Sequence, residues 1–172
     1  SFMKSIVRFI FFICVFSLFN FATCKYGFKD VSPIPAEVKT FRVQTLQNRA
    51  QYVNTQLAPS LTEKLKQKII GTTRLRQTNN DDAHYDISGY VSQYFTSTVS
   101  ITGNTSTGNR LTVGFHLIFK NTLDDKKNFE ADLVRTYDFN GSQTIADVGI
   151  SLTPIMVSDL ADEVFNKIFS NW

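Results

Sequence analysis

Chemistry in this chain would have to start from its histidines, its cysteines or a cluster of charges. There are two histidines, His84 and His116, and two cysteines, Cys14 and Cys24. A metal ion needs three or four converging donors. His84 has only Asp81 and Asp82 close by, in the polar run Thr78-Asn79-Asn80-Asp81-Asp82, which reads as a solvated loop. His116 falls on the polar side of an alternating segment. Neither histidine accompanies a Ser or Cys in a nucleophile elbow. The segment Gly103-Asn104-Thr105-Ser106-Thr107-Gly108 joins two strand-like stretches. A phosphate-cradling loop instead runs from a strand into a helix and usually carries a Lys-Ser/Thr pair. The expectation is no metal, no cofactor and no catalytic constellation. A hydrolase using two carboxylates paired only in space stays open, because such pairs do not show in a sequence.

Cations offer a second kind of chemistry. Asp124-Asp125-Lys126-Lys127 is a charge run in a turn, and Arg74, Arg76, Arg110 and Lys120 flank the ends of strand-like segments. Lys and Arg so placed can pair with phosphate groups. The expected ligand-contact residues are therefore Arg74, Arg76, Arg110, Lys120, Lys126 and Lys127, with anionic glycolipid as the ligand class. The alternative is that they are ordinary solvated surface charges. Nucleic acid is excluded by the charge balance. The chain has 18 Lys and Arg against 15 Asp and Glu, and the excess falls further once the N-terminus is considered.

Ile6 to Ala22 is almost continuously apolar, Lys4 and Arg8 lie before or within its start, and no acidic residue precedes Asp30. This is the pattern of a secretory signal. An uncleaved membrane anchor is the competing reading, since the run nears the minimum for a spanning helix. Phe21-Ala22-Thr23-Cys24 resembles the lipobox of bacterial lipoproteins, in which small residues precede a Cys that receives a diacylglycerol thioether; Thr23 and Phe21 depart from the usual residues. The expected organisation is a signal peptide over 1–23, an acylated Cys24 and tether over 24–36, and one domain over 37–172. Cys14 would leave with the signal, so no disulfide could form within the remainder. Lys4 and Arg8 would leave too, bringing the net charge close to neutrality.

These residues need elements to position them. Val38 to Gln47 reads as a strand, with Phe41 and Val43 on one side and Arg42 and Gln44 on the other. Thr55 to Ile70 reads as a helix on the stripe Leu57, Leu61, Leu65 and Ile69. Asn54 or Thr55 can cap it, Pro59 is tolerated in its first turn, and Gly71 is the expected stop. Thr72 to Gln77 is a short strand or an extended arm. Tyr85 to Ile101 is rich in strand formers. Leu111, Val113, Phe115, Leu117 and Phe119 alternate with Thr112, Gly114, His116, Ile118 and Lys120, the cleanest period of two in the chain. Phe129 to Phe139 alternates again before the turn Asn140-Gly141. Thr153-Pro154 looks like the start of a C-terminal helix with Ile155, Leu160, Val164, Ile168 and Phe169 inward, and Thr144 to Leu152 like an earlier helical section kinked at Pro154. The predicted fold is an α+β two-layer sandwich, order β-α-β-β-β-α, with two helices on one face of a four-stranded mixed sheet. Tyr85, Tyr90, Tyr94 and Phe95 occupy both faces of one strand, so some aromatic surface is expected outside the core.

Several stretches, taken together and in order, resemble the Bacteroidota branch of the LptE-like lipopolysaccharide-assembly lipoproteins. They are Cys24-Lys25-Tyr26-Gly27-Phe28, Ile34-Pro35-Ala36-Glu37-Val38-Lys39-Thr40, Asn48-Arg49-Ala50, Leu61-Thr62-Glu63-Lys64-Leu65-Lys66, Tyr85-Asp86-Ile87-Ser88-Gly89-Tyr90 and Phe165-Asn166-Lys167-Ile168-Phe169-Ser170-Asn171-Trp172. The resemblance implies a non-enzymatic protein anchored in the outer membrane on its periplasmic side. It implies a role as plug and assembly partner of a large LptD-like β-barrel, and binding of lipopolysaccharide on its way to the cell surface. An assembly factor or pilot for a different envelope complex is the alternative.

Overall fold

The computed structural model describes residues 33–100 and 107–170; Cys24 and the expected signal and most of the tether lie outside these residues. The elements run β1 (Thr40–Val43), β2 (Gln47–Asn48), α1 (Leu57–Thr72), β3 (Arg76–Gln77), β4 (Tyr85–Ser100), β5 (Thr107–Asn121), β6 (Phe129–Asn140) and α2 (Ile145–Phe169). The α+β architecture is the expected one. The mixed sheet has six strands rather than four, because two-residue strands form at Gln47–Asn48 and Arg76–Gln77.

The order across the sheet is β3-β1-β4-β5-β6, with β2 also paired to β4. β1 runs parallel to β3 and β4, whereas β4, β5 and β6 form an antiparallel meander. A parallel return needs a long crossover, and α1 supplies it between β1 and β4. The single strand expected over Val38 to Gln47 is split. Val43 pairs with Ile87 and Gln47 with Tyr90, so β1 and β2 are successive stretches along one edge of β4. Between them Leu46 turns into the core and its amide donates to Thr62 Oγ1 of α1 at 3.2 Å.

Alternation decides which sheet face is covered. Leu111, Val113, Phe115, Leu117 and Phe119 of β5 are all buried, as are Tyr85, Ile87, Val91 and Tyr94 of β4. Val91 and Tyr94 are three apart, and a bulge between Val91 and Gln93 resets the pleat so that both point inward. Leu57, Leu61, Leu65 and Ile69 of α1 meet this face, and α1 packs against α2. Phe115 also lies across Gly89, where an added Cβ would strike the Phe115 ring and the His116 carbonyl oxygen.

The helix ends differ from expectation. The N-cap of α1 is Gln56, which makes no side-chain cap bond; Asn54, two residues earlier, orders the turn leading into the helix, its Oδ1 accepting from the amides of Gln56 and Leu57 at 3.1 and 3.2 Å. Gly71 does not stop the helix; it lies in the last turn, and Thr73 closes it by donating from its amide and hydroxyl to the Ile69 carbonyl. Thr153-Pro154 does not start α2. The start is Thr144, whose side chain accepts from the Asp147 amide while the Asp147 carboxylate accepts from the Thr144 amide, a reciprocal capping box. Pro154 is therefore internal to a 25-residue helix. It removes the donor that would meet the Ile150 carbonyl, but both residues lie on the solvent side, where water can take that bond. Ile155, expected inward, is half exposed; Met156 and Val157 take the buried positions instead. Among the described residues no helix is long and apolar enough to cross a membrane.

Candidate functional site

Among the described residues both helices lie on one side of the sheet and nothing covers the other, open face, whose side chains on β5 are the even positions. Its lower half, near the starts of β1 and β4, is a charged network. Arg42 donates from Nε and Nη2 to the two oxygens of Asp86, at 2.9 Å each, and also pairs with Asp81. Gln44 donates to Asp86 at 2.8 Å. Burial pushes the Asp86 carboxyl up, but these donors outweigh it and hold the pKa below the ordinary carboxylate value. Lys120 is the strand partner of Asp86 and adds to that pull.

Two rows along, past Ser88 and Ile118, His116 lies between three neighbours. Its Nδ1 is 2.7 Å from Asp132 and its Nε2 is 3.1 Å from Glu130, both on β6. Its ring stacks on Tyr90 of β4 with centroids 5.0 Å apart. The Arg49 guanidinium sits 4.2 Å from the Tyr90 centroid. Hydrogen bonding to Asp132, then to Glu130, holds the His116 pKa above the usual histidine value. His84 is bonded differently: its Nδ1 accepts from the Lys39 amide at 2.9 Å, so this nitrogen is unprotonated in that bond.

The upper half of the open face, past the bulge, is nearly free of charge. Gln93, Phe95, Thr112, Gly114, Val134 and Thr136 occupy it, with Phe95 and Val134 about half exposed. The aromatic surface expected outside the core is thus Phe95, with Tyr90 partly covered in the row below. Arg110 and Asp138 close the upper end as a two-bond ion pair of 2.6 and 2.9 Å.

The six cations expected to meet phosphate fall into three places. Arg74 spans Val38, Ile34 and Pro35, donating to their carbonyl oxygens at 2.8, 3.0 and 2.6 Å, and so pins the segment that leads into β1. Arg110 is paired with Asp138 at the opposite end of the sheet. Ten residues along β5 separate it from Lys120, about 34 Å of extended chain. Arg76, Lys120, Lys126 and Lys127 share the lower end, where β3, β5 and the turn before β6 meet it. The turn is ordered by Asp124, whose side chain accepts from the Lys126 amide. The cations Arg42 and Arg49, which organise the open face, were not among the sequence candidates. Alternation put Arg42 opposite the core, but its partner Asp86 is 44 positions away.

Behind the sheet, Tyr52, Val53, Asn54, Gly149 and Ile150 line a cleft of about 230 Å³ between the loop before α1 and the first half of α2. Its floor is the Asn54 amide, bonded to Tyr94 Oη and Thr153 Oγ1. Among the described residues no three His, Cys, Asp or Glu side chains are placed to share a metal ion.

The fold is shared with a solved bacterial lipoprotein. A minor lipoprotein from Acinetobacter baumannii superimposes with a TM-score of 0.51 at 17% identity, covering 76% of this chain and 92% of that one. Rare lipoprotein B from Shewanella oneidensis matches at 0.44 and 14% identity, over 74% of this chain and 92% of its own. PelC from Paraburkholderia phytofirmans, a dodecamer, matches at 0.48 and 12% identity, over 83% and 95%. No curated protein sequence is significantly similar to the chain. Residues 38–168 match the family described as LptE, Lipopolysaccharide-assembly, and the chain belongs to that family.

Proposed function

We propose that this protein is an outer-membrane lipoprotein of the Bacteroidota branch of the family, anchored on the periplasmic side through acylated Cys24 after removal of residues 1–23. It acts as plug and assembly partner of the LptD-like lipopolysaccharide-translocating β-barrel, and it binds lipopolysaccharide during insertion. The observation that carries the reading is the family match, whose residues 38–168 span the packed core from Val38 to all but its last member, Phe169. The surface supports it. An uncharged upper sheet face bearing Phe95 and Val134 suits contact with a barrel wall. Of the cations at the lower end, Arg76, Lys120 and Lys126 are the ones suited to glycolipid phosphates, while Arg74 and Arg110 are bonded within the fold. The family's role is assembly, and this chain's part in it is binding rather than catalysis.

The test is a mild-detergent pull-down of tagged full-length protein from its native envelope, with mass spectrometry of everything recovered. One large outer-membrane barrel at near-equal stoichiometry, with Cys24 acylated, is the expected result. Recovery with a different envelope complex would replace this reading with that of an assembly factor or pilot. For the ligand, joint replacement of Arg76, Lys120 and Lys126 by Ala should weaken lipopolysaccharide binding most at low salt. Binding unchanged in that variant would remove these residues from the site.

A further inference from the structure

We propose that His116 is a proton-controlled clasp tying the edge strand β6 to the open face of the sheet. The geometry points to it, independently of the proposed function. Both ring nitrogens face carboxylate oxygens, Nδ1 facing Asp132 and Nε2 facing Glu130. A neutral imidazole has one N–H and one lone pair, so it can donate to only one of the two. The other carboxylate would then point its lone pairs at a ring lone pair. Only the imidazolium, with an N–H at each nitrogen, satisfies both. The carboxylates sit at opposite ends of the ring rather than converging on one point, so this is a site for a proton and not for a metal ion.

The surroundings favour the charged ring. From β6 it meets Asp132 and Glu130, and from β4 the Tyr90 ring lies against it, a surface that attracts a cation. The opposing charges are more distant: Arg49, over the Tyr90 ring, and Lys120, four positions along β5 and beside Asp86. Gly114, two positions the other way on β5, brings no side chain. No helix of the described residues packs on this face. The clasp matters because, among the described residues, β6 has β5 on one edge and no strand on the other. Across the pair the charged ring bridges two residues of β6 at once, Glu130 and Asp132, in addition to the ladder. Its loss removes one of those bonds and leaves two carboxylates two residues apart with no shared cation.

The direction follows from linkage. A group whose folded pKa lies above its unfolded value adds stability that is complete below about 6.5 and is lost as pH rises through the higher folded value. The first half of β6 is therefore tight in mildly acidic surroundings and loosens in mildly alkaline ones.

The experiment uses the full chain in detergent micelles with ¹⁵N-labelled histidine, and follows both imidazole nitrogens of His116 against pH. A companion sample follows amide hydrogen exchange of Ala131 to Leu133. The expected result is protons on both His116 nitrogens near neutral pH and a titration midpoint above the ordinary histidine value. Each unit of displacement means about tenfold tighter proton binding in the fold. Asp132→Asn should lower the midpoint. Exchange at Ala131 to Leu133 should accelerate through the midpoint more than base catalysis alone requires, and His116→Gln should remove that extra rise. A His116 ring carrying a single proton at neutral pH would overturn the clasp. So would exchange that tracks base catalysis alone in the wild-type chain.

Discussion

The two faces of the sheet are built from the same strands by different physics. On β5, Phe115 is fully buried under the helices, while the next residue, His116, lies on the open side among carboxylates and a tyrosine ring. The covered face gains its stability by removing apolar area from water, a term that is large, non-directional and independent of protonation. None of the described residues covers the open face, and its lower half is ordered by directed bonds between charges in partial contact with water. Each of these is small, and each depends on protonation. The lesson is that stability resides on one side of the sheet, while the other side is free to be chemically variable and responsive.

The comparison can be broken most directly at Phe115. Phe115→Ala should cost about 3–5 kcal/mol, because it opens a cavity in a close-packed layer and removes the ring lying over Gly89. Chemical denaturation of that variant beside His116→Gln, measured near pH 6, should show a much larger loss for Phe115. Similar losses at these adjacent positions would erase the distinction between the faces.

A smaller effect sharpens the account of the open face. Arg42→Ala leaves Asp86, largely covered, with only Gln44 to bond it and should cost about 1–3 kcal/mol. Here the sign is opposite to that at His116. The folded pKa of Asp86 lies below 3.8, so its contribution is complete above that value and is lost as pH falls through the lower folded one. In Arg42→Ala the carboxylate should protonate at higher pH. A stability profile in acid that is the same for both proteins would show that Arg42 does not hold Asp86.

The smallest effect tests an ion pair on the helix side that is not covered. Arg135 of β6 donates to Glu163 of α2 at 2.6 Å, with the Arg135 side chain half exposed. Glu163→Gln should cost under about 1 kcal/mol, and the difference should vanish at high salt. A larger, salt-independent loss would mean that the contact fixes the docking of α2.

Legibility in the sequence followed the same division. The alternation of β5 named five buried residues, and the stripe of α1 named four, because a periodic apolar pattern has one satisfactory arrangement in water. The errors came where two local signals competed. Thr153-Pro154 resembles a helix start, yet Thr144 and Asp147 make the cap together, and a solvent-facing Pro154 can be absorbed within the helix. Gly71 resembles a stop, yet Thr73 satisfies the Ile69 carbonyl two residues later. Arg74 has the type and position of a phosphate ligand, and nothing in its neighbours reveals that three backbone carbonyls some 36 to 40 positions earlier surround it.

The amino-acid sequence by itself determined the α+β class, the two helices, the long meander and the side of each strand that turns inward, because these depend on near-neighbour periodicity. Only the tertiary structure decided the partners of the charges. Arg42 finds Asp86, His116 finds Glu130 and Asp132, and Arg110 finds Asp138 because strand register brings together residues distant in the chain. A carboxylate's effect on a neighbour falls off within a few ångströms, so the chemistry of the open face came into being only when the strands were laid side by side.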